Sequence, residues 1–437
     1  GFHNSDDKCS YQPEQFGAEE AIVADFCLYR RKNRVYNILV VRFVRRKNME
    51  RNDCTMKKLL ALLLAAMLLC LSAGAMAEAA NAPIAKEDLK IGVLHINDSS
   101  DQGYTYNHEA GYLKAMEELG LDTETQYVPK YHIGEDDKCA TAIQELIEAG
   151  CNIIFATSYG HGPYVLEAAT QHPEVQFCHA TGELAVTAGL PNLHNYFAQI
   201  EEARYLAGIA AGLNTKVNKL GYVGAKPFAE VISGFTAFFL GARSVNPDVT
   251  MEVIYTNEWS SATLEAQAAQ ALIDMGCDVI SQHSDTTSPA TTAEAGGVLH
   301  VGYNNDMIPA APNASLISAR IDWSHYMKYA LECMMSGEPI ATDWTQGWAE
   351  RTVYLSPLNT AIAAEGTQEA IDAAAAKFDD GSLHVWQGPL YDSEGNPAQI
   401  MSWDGSSVVY TFSDEVYEEP NSAPQFNAII EGIHINE

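Results

Sequence analysis

Short apolar runs alternate with segments of helical hydrophobic spacing along most of the chain after residue 88. Residues 91–96 are largely apolar, which predicts a buried strand. In the next segment Tyr112, Met116 and Leu119 share one helix face, and Gly120 provides a C-terminal stop. This alternation predicts parallel sheets with helices on both faces. Further strands are predicted at residues 152–157, 175–180, 220–223, 251–255, 278–282, 298–302 and 316–321, and helices at residues 107–120, 164–171, 201–213, 230–245, 262–275, 287–295, 322–336 and 365–377.

The second half of this alternation repeats the first. Residues 146–158 and 272–284 align at a constant offset of 126, and six of their thirteen positions are identical. Each copy ends a helix with a Gly-Cys pair and then enters an apolar strand. The repeat predicts two similar α/β lobes, and such sheets bind ligands beyond the carboxyl ends of their strands. Ser158 and Ser284 would then occupy equivalent positions on either side of a cleft.

The composition is that of a globular protein, because 47% of the residues are hydrophobic and 19% are charged. The chain has 57 Asp and Glu residues against 26 Lys and Arg residues. Subtracting the 8 acidic and 12 basic residues that precede Glu78 leaves 49 acidic and 14 basic residues, a net charge of −35. A surface this negative repels phosphate backbones and anionic lipid headgroups, which excludes nucleic acid and peripheral membrane partners.

Residues 56–77 have the three parts of a signal peptide. Lys57 and Lys58 form a basic start, an apolar stretch follows, and small residues precede Glu78. The prediction is a secreted protein that begins near Glu78. The alternatives are a membrane anchor, since the stretch could nearly span a bilayer, and lipid attachment at Cys70. Leu69 stands where a lipoprotein signal has a small residue, which favours plain secretion over lipid attachment.

The remaining N-terminal residues and the cysteines carry little functional signal. Because a signal peptide begins a chain, residues 1–55 are interpreted as a non-native upstream extension. The alternative is a genuine cytoplasmic extension.

Five of the nine cysteines lie after Glu78, and none forms a Cys-x-x-Cys pair. This pattern favours buried cysteines over a disulfide framework or a zinc site.

An ordered set of turns resembles one protein family. The turn after the first strand carries Asp101, Gly103 and Tyr104, and residues 301–306 form a second characteristic turn. Residues 380–395 resemble the closing hairpin of the same family. Together these motifs resemble the basic membrane protein (BMP) family of substrate-binding proteins for ABC transporters, over roughly residues 89–400. Asn304 stands where many members carry a ribose-binding Asp, which is a departure from the nucleoside-binding pattern. Residues 101–108 and the turn His283-Ser284-Asp285 are more similar to a branch of the family that holds a free purine base such as adenine.

The resemblance implies a fold and a domain organisation. The expected fold is α/β, with two Rossmann-like lobes joined by a multi-strand hinge, the type I periplasmic-binding-protein fold. The first lobe would comprise residues 86–200 with a return segment at about 318–345. The second lobe would comprise residues 201–315, and residues 346–437 would form the C-terminal hinge return and the closing hairpin region.

Aromatic residues near predicted strand ends could form the walls of the cleft. Tyr104 and Phe228 lie in equivalent loops of the two lobes and could sandwich a planar ring. Trp259 follows another predicted strand and could form a cleft wall. For each of the three, a packing role in the core or hinge is the alternative.

Polar residues near the same strand ends could bind the edge of a planar ligand. Carboxylates and amides accept hydrogen bonds from ring N–H groups and exocyclic amines, as adenine recognition requires. Asp101 could serve in this way or could hold its own turn. The polar candidates are Asp101, Ser158, Tyr159, His283, Asp285, Asn304 and Asp306.

The expected function is capture of a purine base or nucleoside and its delivery to an ABC permease by a monomeric, extracytoplasmic protein. Serine-hydrolase, zinc-protease and phosphate-loop motifs are absent from the sequence, and no histidine spacing suggests a metal site. The sequence therefore predicts neither catalysis nor a cofactor. A purine- or nucleoside-processing enzyme and a ligand-sensing receptor subunit are the alternatives.

Overall fold

The computed structural model describes residues 24–31, 34–41, 82–402 and 404–436. Residues 1–71 and 72–437 are separate units. In the first unit, strands Ala24–Arg31 and Arg34–Val41 pair antiparallel. The predicted signal peptide and Cys70 lie outside the described residues.

The second unit alternates strands and helices from residue 91 onward. With the first two strands as β1 and β2, the others are β3 (Ile91–Leu94), β4 (Tyr127–Lys130), β5 (Ile153–Ala156), β6 (Gln176–Ala180), β7 (Leu193–Tyr196), β8 (Lys219–Gly224), β9 (Thr250–Tyr255), β10 (Val279–Gln282), β11 (Leu299–Tyr303), β12 (Ser315–Ile321), β13 (Asp343–Trp344), β14 (Val353–Leu355), β15 (Gln399–Met401), β16 (Val408–Thr411) and β17 (Ile433–Asn436). The helices are α1 (Tyr104–Leu119), α2 (Thr123–Gln126), α3 (Lys138–Glu148), α4 (Gly162–Gln171), α5 (Leu184–Ala188), α6 (Ile200–Asn214), α7 (Ala229–Val245), α8 (Ala262–Asp274), α9 (Ser288–Gly296), α10 (Ser324–Ser336) and α11 (Thr367–Asp379).

Two sheets form two α/β lobes, as predicted. The first lobe has a six-stranded parallel sheet in the order β13-β7-β6-β5-β3-β4. The second lobe has a seven-stranded sheet in the order β14-β12-β11-β10-β8-β9-β17, in which β14 alone pairs antiparallel. Helices cover the sheets and bury continuous apolar strands, as parallel sheets require. The buried, free cysteines include Cys139, Cys151, Cys178, Cys277 and Cys333.

The chain crosses between the lobes several times. It leaves the first sheet after β7, returns through α10 to β13, and re-enters the second sheet at β14. The expected start of the return, near residue 318, lies inside β12, which pairs with β11 of the second lobe. In the expected C-terminal region the hairpin is β15 with β16, later than the segment 380–395. The last strand, β17, joins the second sheet beside β9.

The sequence repeat corresponds to a repeated turn. Gly150 and Gly276 follow the equivalent helices α3 and α8 with φ of +86° and +90°. The next residue in each copy donates its N–H back to the helix, Cys151 to Leu146 O at 3.0 Å and Cys277 to Leu272 O at 3.1 Å. Glycine adopts this left-handed conformation without the cost of a Cβ. The Gly-Cys pairs therefore end both helices in the same way before β5 and β10.

Two helices of the second lobe, α6 and α7, are in backbone contact through glycines. A Cβ on Gly208 would lie 1.9 Å from Phe238 O, and a Cβ on Gly241 would lie 1.9 Å from Tyr205 O. Both positions are buried. No side chain fits at this crossing, because the backbones themselves are the contact surface.

Gly208→Ala is expected to lower the free energy of unfolding by about 3 kcal/mol, because the added methyl group must push α6 and α7 apart. Urea denaturation measures this change. The matched control is Gly134→Ala, whose Cβ would meet Asp136 only at ordinary contact distance, 3.5 Å. Equal effects of the two substitutions would contradict the close packing described here.

Candidate functional site

A cavity of about 320 Å³ lies between the lobes, beyond the carboxyl ends of the strands. The sequence repeat predicted a cleft at this place, beyond the strand ends of two α/β lobes. The first lobe contributes the loops after β3, β5 and β6, and the second contributes the loops after β8, β9 and β10 and the end of β11. The lining residues are Ile96, Tyr104, Thr157, Ser158, Tyr159, Thr181, Glu230, Trp259, His283, Asp285 and Tyr303.

A second cavity of about 360 Å³ adjoins the first. The two share Tyr159, Thr181 and Glu230 as lining residues. Residues 423–425 form part of its wall, so the C-terminal region reaches the cleft. Ser422 holds this region near the first lobe, because its N–H donates to Asp343 Oδ2 at 2.8 Å.

The structure brings six of the ten predicted residues to the first cavity: Tyr104, Ser158, Tyr159, Trp259, His283 and Asp285. Phe228 lines the second cavity instead. Neither cavity lining includes Asp101, Asn304 or Asp306. Ser284, the expected counterpart of Ser158, is buried and also absent from both linings.

Asp101 holds the turn before α1. Its carboxylate accepts hydrogen bonds from the backbone N–H groups of Gly103, Thr105 and Tyr106 at 2.9–3.0 Å. This geometry matches the turn-holding alternative and uses the carboxylate locally. Asp306 likewise accepts from the N–H of Ile308 at 3.0 Å.

Asn304 occupies a turn with φ of +65°. Its backbone carbonyl oxygen accepts a hydrogen bond from Arg320 Nε at 3.1 Å. The side chain of Asn304 is fully buried. Asparagine tolerates this left-handed conformation better than most residues. The position therefore shapes the turn after β11, and its side chain does not line either cavity.

Tyr104 and Phe228 come from opposite lobes but line different cavities. The Tyr104 hydroxyl donates to Thr157 O at 2.6 Å, and its ring contacts His108 edge-on with centroids 4.4 Å apart. The Phe228 ring lies 5.5 Å from the ring of Tyr159 and 5.9 Å from that of Trp259. Packing against these two rings places Phe228 beside the second cavity. The aromatic residue of the second lobe that shares a cavity with Tyr104 is Trp259.

Glu135, which the sequence did not single out, joins the lobes across the cleft. Its carboxylate accepts from Ser158 Oγ and Gly160 N in the first lobe, both at 2.8 Å. From the second lobe it accepts from Trp259 Nε1 at 3.1 Å and from Lys226 Nζ at 3.0 Å. Burial alone would raise the pKa of Glu135, but Lys226, Ser158 and Gly160 outweigh burial and lower it. The contact therefore links a charged carboxylate to both lobes.

The acids of the first cavity have raised pKa values. Burial raises the pKa of Glu230 to about 8, although Arg204 acts in the opposite direction. Burial and the neighbouring Asp101 raise the pKa of Asp285 well above its usual value. Burial lowers the pKa of His283 well below its usual value, and its Nε2 lies 3.5 Å from Glu230 Oε1. At neutral pH this cavity therefore contains mostly uncharged polar groups.

Several polar atoms of the cavity lining are buried without a hydrogen-bond partner among the described residues. They are the Thr181 hydroxyl, the Tyr303 hydroxyl and both ring nitrogens of His283. Each such group costs about 1–3 kcal/mol unless a partner is supplied. A cleft that collects several of them is suited to a ligand with a polar edge.

The nearest buried cation lies behind the cavity wall. The guanidinium of Arg204 lies 3.6 Å from the centroid of the Tyr303 ring. It donates to Tyr222 Oη at 2.6 Å and to Gln282 O at 2.8 Å. Arg204 thus stacks against Tyr303 and is not itself a lining residue.

Sequence reasoning missed five lining residues of the first cavity: Ile96, Thr157, Thr181, Glu230 and Tyr303. Each follows or ends a strand, or begins the helix after one, which is the signal that pointed to the other candidates. Tyr303 even lies within the turn at residues 301–306. Within the described residues, no cluster of His, Cys, Asp and Glu side chains could hold a metal ion.

Comparison with known proteins identifies the family. Residues 89–381 match the model of the PnrA-like ABC transporter substrate-binding proteins. The chain belongs to this family. It is 32% identical over 312 residues to a purine-binding protein of Brucella abortus, covering 71% of this chain and 87% of that protein. It is 30% identical over 334 residues to an ABC transporter protein of Haloferax volcanii that is named for glucose binding. This match covers 76% of this chain and 83% of that protein.

Solved structures confirm the fold. An ABC-transporter solute-binding protein from Conexibacter woesei superimposes with a TM-score of 0.55 at 20% identity, covering 68% of this chain and 98% of that one. The chain is thus an α/β solute-binding protein with two Rossmann-like lobes of the type I periplasmic-binding-protein fold. None of the helices in the described part is long and apolar enough to span a membrane.

Glu230 is expected to make folding stability fall as pH rises. Its folded-state pKa of about 8 exceeds its ordinary value of 4.5, so the folded chain retains a proton that the unfolded chain loses between these values. Glu230→Gln removes this term and should be more stable than the wild type by on the order of 3 kcal/mol at pH 8, with little difference at pH 4.5.

Urea titrations at several pH values measure this difference. The control is Glu145→Gln, which removes an exposed carboxylate paired with Lys130 and should follow the wild-type pH profile. A constant difference between Glu230→Gln and the wild type across pH 4.5–8 would contradict a raised pKa of Glu230.

Proposed function

We propose that this solute-binding protein captures a purine base in the cavity between its lobes, with adenine as the first candidate. The observation that carries the proposal is the cavity itself, which combines aromatic walls with uncharged hydrogen-bonding groups. Tyr104 and Trp259 line it from opposite lobes, and Thr181, His283 and Tyr303 present polar atoms that have no hydrogen-bond partner in the described part of the chain. The purine-binding relative supports the same ligand class.

The arrangement of the two cavities also favours a small planar ligand. The first cavity is lined closely by side chains of both lobes, two of which, Tyr104 and Trp259, are aromatic. The adjoining cavity shares Tyr159, Thr181 and Glu230 with the first. A group attached to a purine base could extend into it, so a purine nucleoside is the second candidate.

The interactions available are sufficient for micromolar affinity, which requires about −8 kcal/mol. Stacking on aromatic rings contributes about 1–3 kcal/mol per face. A neutral hydrogen bond contributes about 0.5–1.5 kcal/mol, and partnering a buried polar group also removes its desolvation penalty. Stacking together with several such hydrogen bonds reaches the required range.

Family membership implies an ABC permease as the partner of the loaded protein. We propose that the protein acts as an extracytoplasmic monomer without catalytic activity, exported by the signal peptide at residues 56–77. Closure of the lobes over the ligand would present the permease with a surface that differs from that of the empty protein.

Calorimetry with a ligand panel tests the proposal. Adenine is expected to bind with a micromolar dissociation constant, and guanine, hypoxanthine and adenosine more weakly. Ribose and glucose should give no heat. Native mass spectrometry of the protein as purified should show a bound mass of a purine. Glucose or ribose binding without any purine heat would contradict the proposal, and conversion of adenosine to products would indicate an enzyme.

Glu135→Ala is expected to weaken binding of every ligand about tenfold and to a similar extent at pH 6, where Glu230 stays protonated, because Glu135 links the lobes and is absent from both cavity linings. Small-angle scattering should show less compaction of this variant on ligand addition. Glu145→Gln again provides the control. A loss of affinity confined to one purine would contradict a role in closure.

A further inference from the structure

Thr181 combines two unfavourable features at the cavity wall. It follows β6 with φ of +61°, in the left-handed region. A β-branched residue rarely adopts this conformation, and residues held there cluster at ligand sites. Thr181 is also only 4% exposed, and its hydroxyl has no partner among the described residues. The fold thus maintains a strained residue with an unused hydroxyl at the junction of the two cavities.

Glu230 lies at the same junction on the other lobe. It is in the first turn of α7, and its side chain is 11% exposed. Like Thr181, it lines both cavities. A ligand in the first cavity therefore meets a hydroxyl from one lobe and a carboxyl from the other.

We propose that Thr181 and Glu230 select the ligand by its polar edge, with the Glu230 carboxylic acid donating a hydrogen bond to a ring nitrogen that carries a lone pair and the Thr181 hydroxyl binding a neighbouring polar atom. The assignment rests on the proposed purine ligand and adds how one purine is distinguished from another. It commits to the edge of the purine that carries the substituent at position 6.

The chemistry of the two purine classes differs at this edge. A 6-aminopurine presents a ring nitrogen with a lone pair beside its amino group, and a protonated carboxyl can donate to that nitrogen. A 6-oxopurine presents a ring N–H beside its oxygen, and the carbonyl oxygen of the same acid can accept from that N–H. An ionised carboxylate can only accept, so it still binds the 6-oxopurine but leaves the ring nitrogen of the 6-aminopurine without a donor. Protonation of Glu230 therefore decides whether the 6-aminopurine is accepted. A site that rejects a ligand by leaving buried polar groups unpaired discriminates strongly.

The protonation of Glu230 depends on all the groups that surround it. Burial favours the protonated acid, Arg204 opposes it, and Glu135 supports it. His283 stays neutral because its pKa is lowered by burial and by Arg204. The other titratable groups coupled to Glu230 or lining its cavities are Tyr104, Tyr159, Tyr303, Asp285 and Glu183.

The first test concerns Thr181. Thr181→Val retains the shape and the strained backbone but removes the hydroxyl, and it should weaken adenine binding about tenfold. Thr181→Ser, which keeps a hydroxyl, should bind adenine about as tightly as the wild type. The matched control is Thr236→Val, which removes another buried, unpartnered hydroxyl that is absent from both cavity linings. Urea titration verifies folding of each variant. Unchanged adenine affinity in Thr181→Val, or an equal loss in Thr236→Val, would overturn the role of Thr181.

The second test concerns Glu230. Calorimetry with adenine and hypoxanthine between pH 6 and pH 8.5 should show the ratio of their affinities falling by about fourfold or more, because deprotonation removes the donor. Glu230→Gln presents an amide, which both donates and accepts at every pH, so its ratio should be close to that of the wild type at pH 6 and independent of Glu230 titration. Any pH dependence that remains in Glu230→Gln measures titration of the ligands themselves and is subtracted from that of the wild type.

The outcomes separate the two proposals. The role of Glu230 would be overturned if the ratio of adenine to hypoxanthine affinity in the wild type did not change with pH. It would also be overturned if this ratio fell equally in the wild type and in Glu230→Gln. Loss of the pH dependence in Asp285→Asn and its retention in Glu230→Gln would assign the selection to Asp285 instead. If the wild type bound no purine at any pH, the proposed function and this assignment would both be wrong.

Discussion

The cleft depends on one carboxylate that is shared between the lobes. Glu135 accepts hydrogen bonds from Ser158 and Gly160 on one side and from Lys226 and Trp259 on the other. Closure excludes water from the groups behind it, and exclusion of water raises the pKa values of the cavity acids. A charged carboxylate that contacts both lobes thus lies close to acids whose pKa values burial raises, in a chain whose formal net charge is −31.

An uncharged interior changes what the acids can do. An ionised carboxylate only accepts hydrogen bonds, whereas a protonated one can also donate. Glu230, with a pKa of about 8, can therefore donate at neutral pH. Arg204, the nearest buried cation, is engaged by Tyr222 and Gln282 and stacked behind Tyr303. The wall of the cavity separates this charge from the ligand space, so the proposed purine would meet hydrogen-bonding groups and aromatic rings there and no buried cation.

The sequence predicted most of the fold because the central strands are buried on both faces and are therefore continuously apolar. Strands outside that rule were missed. β4 contains Pro129 at a sheet edge, where proline is tolerated, and β7 carries His194 and Asn195. At the site, strand ends pointed to Tyr104, Ser158 and His283, all of which line the first cavity. Local sequence cannot show whether a carboxylate bonds its own turn, as Asp101 does, or faces the cleft, as Glu230 does.

The position of β17 has a consequence for biogenesis. This strand, residues 433–436, completes the second sheet beside β9, whose residues are synthesised about 180 positions earlier. The second lobe cannot finish its sheet until this segment has been synthesised, and a pairing this distant in sequence is slow to form. The outer edge of β9 therefore keeps its backbone N–H and C=O groups unpaired until residues 433–436 are available. During synthesis, this edge is a place where the unfinished lobe could pair with another chain.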